Sequence, residues 1–373
     1  MIAVIYGTTG ELIKMAPLLR EIHSRGQLIT LCTMQQAEQI PAMLDEFGLP
    51  LPDVWLAHGC DGNDLARASE IPGWGADVAR SMARQGRALI RRHARLVLVH
   101  GDTFTTAIGA LSGRLAGRPV GHIEAGLRSG DWRSPFPEEL NRRIVSRLAR
   151  YHYAPGRWAL KNLRRARVRG EIIDTGVNTV RDALKLAAGG GRLGVDLPPV
   201  AFGVVSIHRF QLLRDRAALG ELIAVLAEAA AYRPLVFVDH AVTVAALASA
   251  DLDHALDCPG IIRIPRQGYF AFAELLARAA FLVTDSGGNQ EESVALGLPC
   301  IVHRACTERQ DGLSDGLVIL SGLDPDAVRR FLSDPPPAQA AAAGELASPT
   351  SLIVRHLEAR GFLQAFSSDL PSA

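Results

Sequence analysis

The sequence predicts an α/β protein built of two doubly wound, Rossmann-like domains facing a cleft. Three observations predict it. Short, wholly apolar runs such as Leu96-Val-Leu-Val99 have the character of parallel strands buried on both faces. Such runs alternate with amphipathic helical stretches through both halves of the chain. A break rich in Gly and Pro, Ala188-Gly-Gly-Gly-Arg-Leu-Gly-Val-Asp-Leu-Pro-Pro199, lacks periodicity and separates the halves. The 373 residues suffice for two domains at roughly 100–200 residues each. The expected boundaries are 1–186 and 200–346, with a C-terminal helix over 351–366 expected to pack back on the first domain.

Each element has a local reason. A strand is expected over 1–6, then the turn Gly7-Thr-Thr-Gly10. A helix over 11–23 follows, on the stripe Leu12, Ile13, Leu18, Leu19 and Ile22, and Gly26 stops it. A strand over 27–33 and a helix over 36–47 come next. The stretch 58–74 reads as irregular. A helix over 76–92 leads to the strand at 96–99, which ends in His100-Gly-Asp-Thr103. After a further helix and a strand over 120–123, a loop enters a helix over 138–148. Pro137 suits its first turn, and Glu138 and Glu139 suit the positive end of its dipole. A strand at 152–154, a helix over 157–166 and a strand over 172–175 close the first half. In the second half, strands are expected at 201–207, 235–239, 261–264, 281–285, 300–303 and 317–320. The helices fall at 214–232, 242–250, 271–279 and 290–297. The stretch 334–344 is of low complexity.

Composition narrows the function classes. Hydrophobic residues make up 48% and charged residues 21%, which favours a full core over disorder. A net charge of +1 leaves no electrostatic footprint for nucleic acid or an anionic membrane, so neither is expected as a partner. No apolar run is long enough to span a bilayer, and Met1-Ile-Ala-Val-Ile-Tyr6 has no leader character; the expected location is cytoplasmic. The five cysteines are scattered without CxxC pairs, so free thiols are expected and no metal site.

Chemistry is expected at strand ends, where ligands of doubly wound sheets bind. Asp102, Glu124, His208 and Asp285 each follow a strand. Glu124 and Glu138 flank one loop, with Arg128 and Arg142 near them in sequence. Carboxylates in such a loop suit proton transfer to a bound ligand, although a solvated loop with ordinary ion pairs is the commoner meaning of such charges. Asp285-Ser-Gly-Gly-Asn-Gln-Glu-Glu292 follows an apolar strand and opens a helix, so its glycines and free N–H groups suit a phosphate. The first turn, Gly7-Thr-Thr-Gly10, is not the GxGxxG fingerprint, and no GxxxxGK[ST] occurs, which weakens the NAD and P-loop readings. His208 suits phosphate contact or an acid role, and Arg309 in Thr307-Glu-Arg309 suits bidentate phosphate contact; a structural His and an exposed ion pair are their plainer readings.

Taken together, several blocks resemble the non-hydrolysing UDP-N-acetylglucosamine 2-epimerases. They are Gly7-Thr8 with Glu11 and Ile13-Lys-Met-Ala-Pro17, His100-Gly-Asp-Thr103, Gly121-His-Ile-Glu-Ala-Gly-Leu-Arg128, and Ser134-Pro135 with Pro137-Glu-Glu139 and Asn141-Arg142. His208-Arg209, Gln267 with Tyr269 and Phe272, Thr284-Asp-Ser-Gly-Gly288 with Gln290-Glu-Glu292, and Thr307-Glu-Arg309 complete the set. The resemblance implies the fold of the B-type glycosyltransferases, with the nucleotide held mostly by the second domain. It implies inversion at C2 of a UDP-linked N-acetyl sugar without a cofactor or metal, through elimination of UDP to a 2-acetamidoglucal and re-addition. Carried over to this chain, it makes Asp102, Glu124 and Glu138 the acid/base set, with His208 at the leaving diphosphate. Lys14, Arg128, Arg142 and Arg309 would supply positive charge or orientation. Ser286, Gly287 and Gly288 would cap the diphosphate, Glu292 would hold the ribose, and Gln267 and Phe272 the uracil. A homodimer is implied as well. The alternatives are a glycosyltransferase of the same fold, a hydrolysing epimerase that releases UDP and free sugar, and a non-catalytic nucleotide-sugar-binding protein.

The chain departs from the family pattern in four places. Thr9-Gly10 stand where Arg-Pro is usual. Gln35-Gln36-Ala37 replaces Gln-His-Arg, His240-Ala-Val242 lacks the usual Asn, and Phe210-Gln-Leu212 replaces a polar run. These changes imply loss of the activation by a second substrate molecule that bacterial members show, and they leave a modified nucleotide sugar open as the substrate.

Overall fold

The computed structural model describes residues 1–35, 39–57, 71–130, 136–340 and 347–364. The chain divides into two units, Met1–Leu186 with Ala347–Ala373, and Ala187–Leu346.

Among the described residues, the first unit holds a sheet of seven strands, all parallel: β1 (Ile2–Tyr6), β2 (Leu28–Cys32), β3 (Val54–Trp55), β4 (Leu96–His100), β5 (Val120–Ile123), β6 (Tyr151–Ala154) and β7 (Glu171–Asp174). Their order is β3-β2-β1-β4-β5-β6-β7. The order reverses between β1 and β4, which pair in register Ile2 to Leu96. The loops leaving these two strands therefore diverge and open a crevice at the carboxyl edge.

The helices of this unit are α1 (Thr9–His23), α2 (Gln39–Glu46), α3 (Ile71–Ser81), α4 (Arg87–His93), α5 (Phe104–Leu115), α6 (Glu138–Leu148), α7 (Arg157–Arg165) and α8 (Val180–Ala187). A capping box starts α1: the Thr8 hydroxyl accepts from Glu11 N–H, and the Glu11 carboxylate accepts from Thr8 N–H. One core cluster joins Ala3, Ile5, Val97 and Val99 of the sheet to Trp74, Val78, Met82 and Ala110 of the helices.

Among the described residues, the second unit repeats the plan with six parallel strands: β8 (Gly203–Ser206), β9 (Leu235–Asp239), β10 (Ile261–Pro265), β11 (Phe281–Thr284), β12 (Cys300–Val302) and β13 (Val318–Leu320), in the order β10-β9-β8-β11-β12-β13. Its switch point lies between β8 and β11. Alternate residues feed two cores, as a strand covered on both faces requires. Val205, Phe237 and Val283 enter one cluster, and Val204, Val236 and Leu282 the other. The helices are α9 (Phe210–Leu213), α10 (Arg216–Ala230), α11 (Ala241–Ala250), α12 (Tyr269–Arg278), α13 (Gly287–Leu296) and α14 (Pro325–Ser333).

The last helix among the described residues is α15 (Pro349–Ala359), which belongs to the first unit. Ser348 caps it, Asp182 accepts from Ser348 Oγ at 2.7 Å and from Thr350 N–H at 2.9 Å, and Glu358 pairs with Arg25 at 2.5 Å.

The structure adds to and corrects the local reading. The expected helix over 76–92 begins earlier, at Ile71, and is interrupted by a π-helical turn at Met82–Gly86. Pro72, Gly73 and Gly75 are poor helix formers, yet Trp74 is buried and donates to Thr33 O at 2.7 Å, so packing outweighs propensity. Three helices, α8, α9 and α14, were not anticipated. The C-terminal helix begins and ends earlier than 351–366, and its expected end at 365–366 lies outside the described residues. So do Gln36 and Ala37, all of 58–70, Ser134-Pro135, and the end of the low-complexity stretch.

Candidate active site

Glu124 stands at the first position after β5, with a left-handed backbone at φ 63°. Non-glycine residues adopt this conformation at some cost and most often where function demands it. Its carboxylate is buried. Lys14 of α1 and Asn178 both donate to Glu124 Oε2, and His100 Nε2 lies 3.8 Å from the same oxygen. An ammonium buried against a carboxylate needs such supporting contacts to offset desolvation. Lys14 thus serves Glu124 directly.

Asp102 follows the turn that leaves β4. Arg142 of α6 donates to Asp102 Oδ2, and the Asn141 side chain donates to the Asp102 carbonyl at 2.9 Å. Arg142 is also shared with Glu139, at 3.4 Å. Glu139 is fully buried and also meets Arg128 at 3.6 Å and Arg143 at 3.1 Å. Glu138, half-buried, opens α6 beside it. Sequence proximity associated Arg128 with Glu124. Its observed contacts instead run to Glu139, to Ser146 Oγ at 2.8 Å and to its neighbour's carbonyl, Leu127 O, at 2.7 Å.

Glu11 ties the two loops at the switch point together. It accepts from Gly7 N–H at 2.8 Å and Thr8 N–H at 3.0 Å on the β1 side, and from Thr103 Oγ1 at 2.6 Å and Thr106 Oγ1 at 3.1 Å on the β4 side. Burial raises its proton affinity, and these four donors oppose the rise. His122, one residue before the end of β5, bonds Gly101 O at 2.7 Å through Nε2. Burial pushes it down to about 3, so it is neutral.

In the second unit, Asp285 was expected to face a ligand. Its carboxylate is instead buried and holds the loop leaving β8, accepting from His208 N–H at 3.0 Å and Arg209 N–H at 2.8 Å. The His208 ring lies 4.6 Å from that of His240. Burial first, then Arg209 and Arg266, push His208 down to about 4. It is therefore a neutral imidazole near pH 7.

Ser286 is the N-cap of α13, yet its hydroxyl makes no capping bond, and Gly287 and Gly288 open the helix. Such a helix start leaves N–H groups available to an anion. A Cβ at Gly287 would lie 2.5 Å from Arg309 Nη1, so the guanidinium packs closely against the helix start. Arg309 also pairs with Glu308, and with Glu291 at 3.0 Å. Glu292 accepts from Asn289 Nδ2 at 2.8 Å. Gln267 donates to Pro265 O at 2.6 Å, and Phe272 packs partly buried against one core cluster.

The structure therefore gathers Lys14, Asp102, Glu124, Glu138 and Arg142 around the carboxyl ends of β4 and β5. It gathers His208, Ser286, Gly287, Gly288, Glu292 and Arg309 around those of β8 and β11. Among the described residues, no cluster of three or more His, Cys, Asp or Glu could hold a metal ion. No helix of the described residues is long and apolar enough to cross a membrane.

Comparison with known proteins fits this arrangement. The family model described as UDP-N-acetylglucosamine 2-epimerase matches residues 21–343. The chain belongs to this family. It is 34% identical over 352 residues to the UDP-N-acetylglucosamine 2-epimerase of Yersinia pestis, covering 89% of this chain and 90% of that one. The Escherichia coli K12 enzyme is 32% identical over 357 residues, with coverage of 89% and 90%. Among solved structures, the UDP-GlcNAc 2-epimerase from Neisseria meningitidis bound to UDP-GlcNAc superposes with a TM-score of 0.82 at 26% identity, covering 96% of this chain and 99% of that one. The Methanocaldococcus jannaschii epimerase in complex with UDP-GlcNAc and UDP gives 0.80 at 26%, with the same coverage.

Within the epimerase family frame, three residues stand out that the sequence reading did not assign a role. Asn178 is 54 residues from Glu124 in the chain, and only the pairing of β5, β6 and β7 brings it there. His100 was visible in its block, but its approach to Glu124 was not. Glu139 sits next to the expected Glu138, and the turn of α6 brings it against Arg128, Arg142 and Arg143.

Proposed function

We propose that the chain inverts C2 of a UDP-linked N-acetyl sugar of the UDP-GlcNAc/UDP-ManNAc type by the non-hydrolysing route. The observation that carries this reading is Glu124: a buried carboxylate at a left-handed strand-end position, gripped by Lys14 and Asn178. A fold has no need of such a group there, whereas a proton-moving site does.

The chemistry follows from the substrate. A sugar C2–H becomes acidic enough to remove only as the C1–O bond breaks. UDP leaves with the bonding pair, a carboxylate takes the C2 proton, and a 2-acetamidoglucal remains. A proton then returns to the opposite face of C2, and UDP adds back at C1. No atom is gained or lost. Glu124, Asp102 and Glu138 are the groups for the two proton transfers. Arg142 orients Asp102, and Lys14 and Asn178 orient Glu124. The uncapped start of α13 at Ser286, Gly287 and Gly288, with Arg309, suits the departing diphosphate. His208, neutral and with a buried Nδ1, suits a hydrogen bond to that group. Glu292 suits the ribose, and Gln267 and Phe272 the uracil; Arg128 reaches the acids only through Glu139.

Proton NMR of UDP-GlcNAc with the protein in D2O tests this. Deuterium at C2 with the UDP-sugar intact supports the reading. Free sugar and UDP as the sole products would replace it with hydrolysis, and an unchanged substrate would remove the activity.

The homodimer is proposed on a specific surface. Leu111 and Leu115 of α5 and Leu140 and Ile144 of α6 are exposed on two helices that pack together, with Leu115 57% exposed. An apolar patch of this kind suits a second copy of the chain.

A further inference from the structure

A groove of about 750 Å³ runs along α6, α7 and the turn from α7 to β7 in the first unit. Six arginines line it: Arg128, Arg143, Arg147, Arg165, Arg167 and Arg169. The proton-transfer chemistry uses none of the last four.

The charge is out of balance here and nowhere explained by the fold. The chain as a whole carries 40 basic and 39 acidic residues. Within the groove, Glu139 is the carboxylate that meets Arg128 and Arg143, and it is shared with Arg142. Among the described residues, no carboxylate lies within ion-pair distance of Arg147, Arg165, Arg167 or Arg169. Arg147 donates to Arg143 O at 3.2 Å. The excess acts on the groove itself. Burial lowers the Arg128 guanidinium; Glu139 opposes this, and Arg142, Arg143 and Arg147 lower it further, to about 10.

A helix C-terminus accommodates a cation or two, which accounts for Arg164 or Arg165 at the end of α7. It does not account for six guanidinium groups converging on one concavity. Nor does turn chemistry. Arg167 has φ 47°, a position that glycine or asparagine fills more easily. The opposite flank of α7 carries Arg157, Lys161 and Arg164 beside Trp158, and adds to the positive potential.

We propose that this groove is a binding site for a compact phosphate anion of the pyrophosphate or nucleoside-polyphosphate class, separate from the sugar-nucleotide site. Planar guanidinium forks pair bidentately with phosphate oxygens, and several such pairs in a concavity select a multivalent anion over a monovalent one. The volume admits a nucleotide-sized molecule. A concave lining favours a small anion over nucleic acid or a membrane surface, which need an extended basic face.

The test is isothermal titration of the full chain with sodium tripolyphosphate, with saturating UDP present to occupy the sugar-nucleotide site. Arg165→Gln with Arg167→Gly is the diagnostic variant. Both side chains are exposed, and glycine suits φ 47°, so folding is retained. Wild type is expected to bind with Kd below about 1 mM at about 0.1 M salt, more weakly as salt rises. The variant is expected to bind about 10-fold more weakly or worse, with UDP affinity and epimerisation unchanged. Two results would overturn the proposal: no binding by the UDP-saturated wild type, or equal binding by wild type and variant. Co-sedimentation with phosphatidylserine vesicles that the variant loses, without tripolyphosphate binding, would overturn it in favour of a membrane surface.

Discussion

At the scale of single residues, the decisive group is Glu124. Its side chain could be placed at a strand end from the sequence, but its two donors could not. Glu124→Gln keeps the shape and the left-handed backbone and removes the proton acceptor. Turnover is expected to fall at least about 100-fold, with UDP affinity retained, measured by coupled assay and by titration calorimetry. Full turnover would take Glu124 out of the acid/base set. The histidines set a pH response. Burial is the first cause in each case, and it holds His122 and His240 down to about 3 and His208 to about 4. In the unfolded chain these rings take up protons below about pH 6.5, whereas in the folded chain they resist until pH 3–4. Stability is therefore expected to be full above about pH 6.5 and to decline as pH falls from there toward 4. Urea midpoints measured at pH 7 and pH 5 check this, and His240→Asn should flatten the dependence.

At the scale of elements, most strands and helices were legible because both faces of the sheets are covered. Apolar runs in a doubly wound sheet are short and uninterrupted, and their bounds agree with the structure to a residue or two. Helices α8 and α14 were missed for a local reason: each is only eight or nine residues long and shows few turns of periodicity. Helix α3 was masked by Pro72 and its glycines, and Trp74 holds it by packing. The dependence of α15 on Asp182 is likewise tertiary. Asp182→Ala removes the acceptor of Ser348 Oγ and Thr350 N–H. It is expected to cost about 1–3 kcal/mol in urea unfolding. Gly126, at φ 95°, brings the loop after β5 against α7; a Cβ there would lie 2.5 Å from Ala159 O. Gly126→Ala is expected to destabilise by a similar amount, about 1–3 kcal/mol. On the α5–α6 face, Leu115→Glu is expected to convert a homodimer to monomer in analytical ultracentrifugation; a monomeric wild type would refute the assigned surface.

At the scale of the whole molecule, two sheets of the same winding each place their chemistry at carboxyl strand ends at or next to the point where the strand order reverses. The first contributes carboxylates and cations at β4 and β5. The second contributes an uncapped helix start and glycines at β8 and β11. The departures from the family pattern belong to this scale too, because they fall in several separate blocks of the chain. Val242 and Phe210-Gln-Leu212 stand where polar side chains are usual, and Gln36 and Ala37 lie outside the described residues. Initial rates are expected to follow a hyperbola in UDP-GlcNAc; a sigmoid would show that the activating site survives.

By itself the sequence determined the alternation of strand and helix, the break between halves, the strand-end acids and the glycine-rich helix start. These are local signals, because backbone conformation and burial periodicity act over a few residues. Only the tertiary structure decided that Glu139 meets Arg128, Arg142 and Arg143, that Asp285 holds a backbone turn, and that Asn178 reaches Glu124. Those pairings join residues on different elements, and side-chain electrostatics depends on distance in space, which strand order and helix register set.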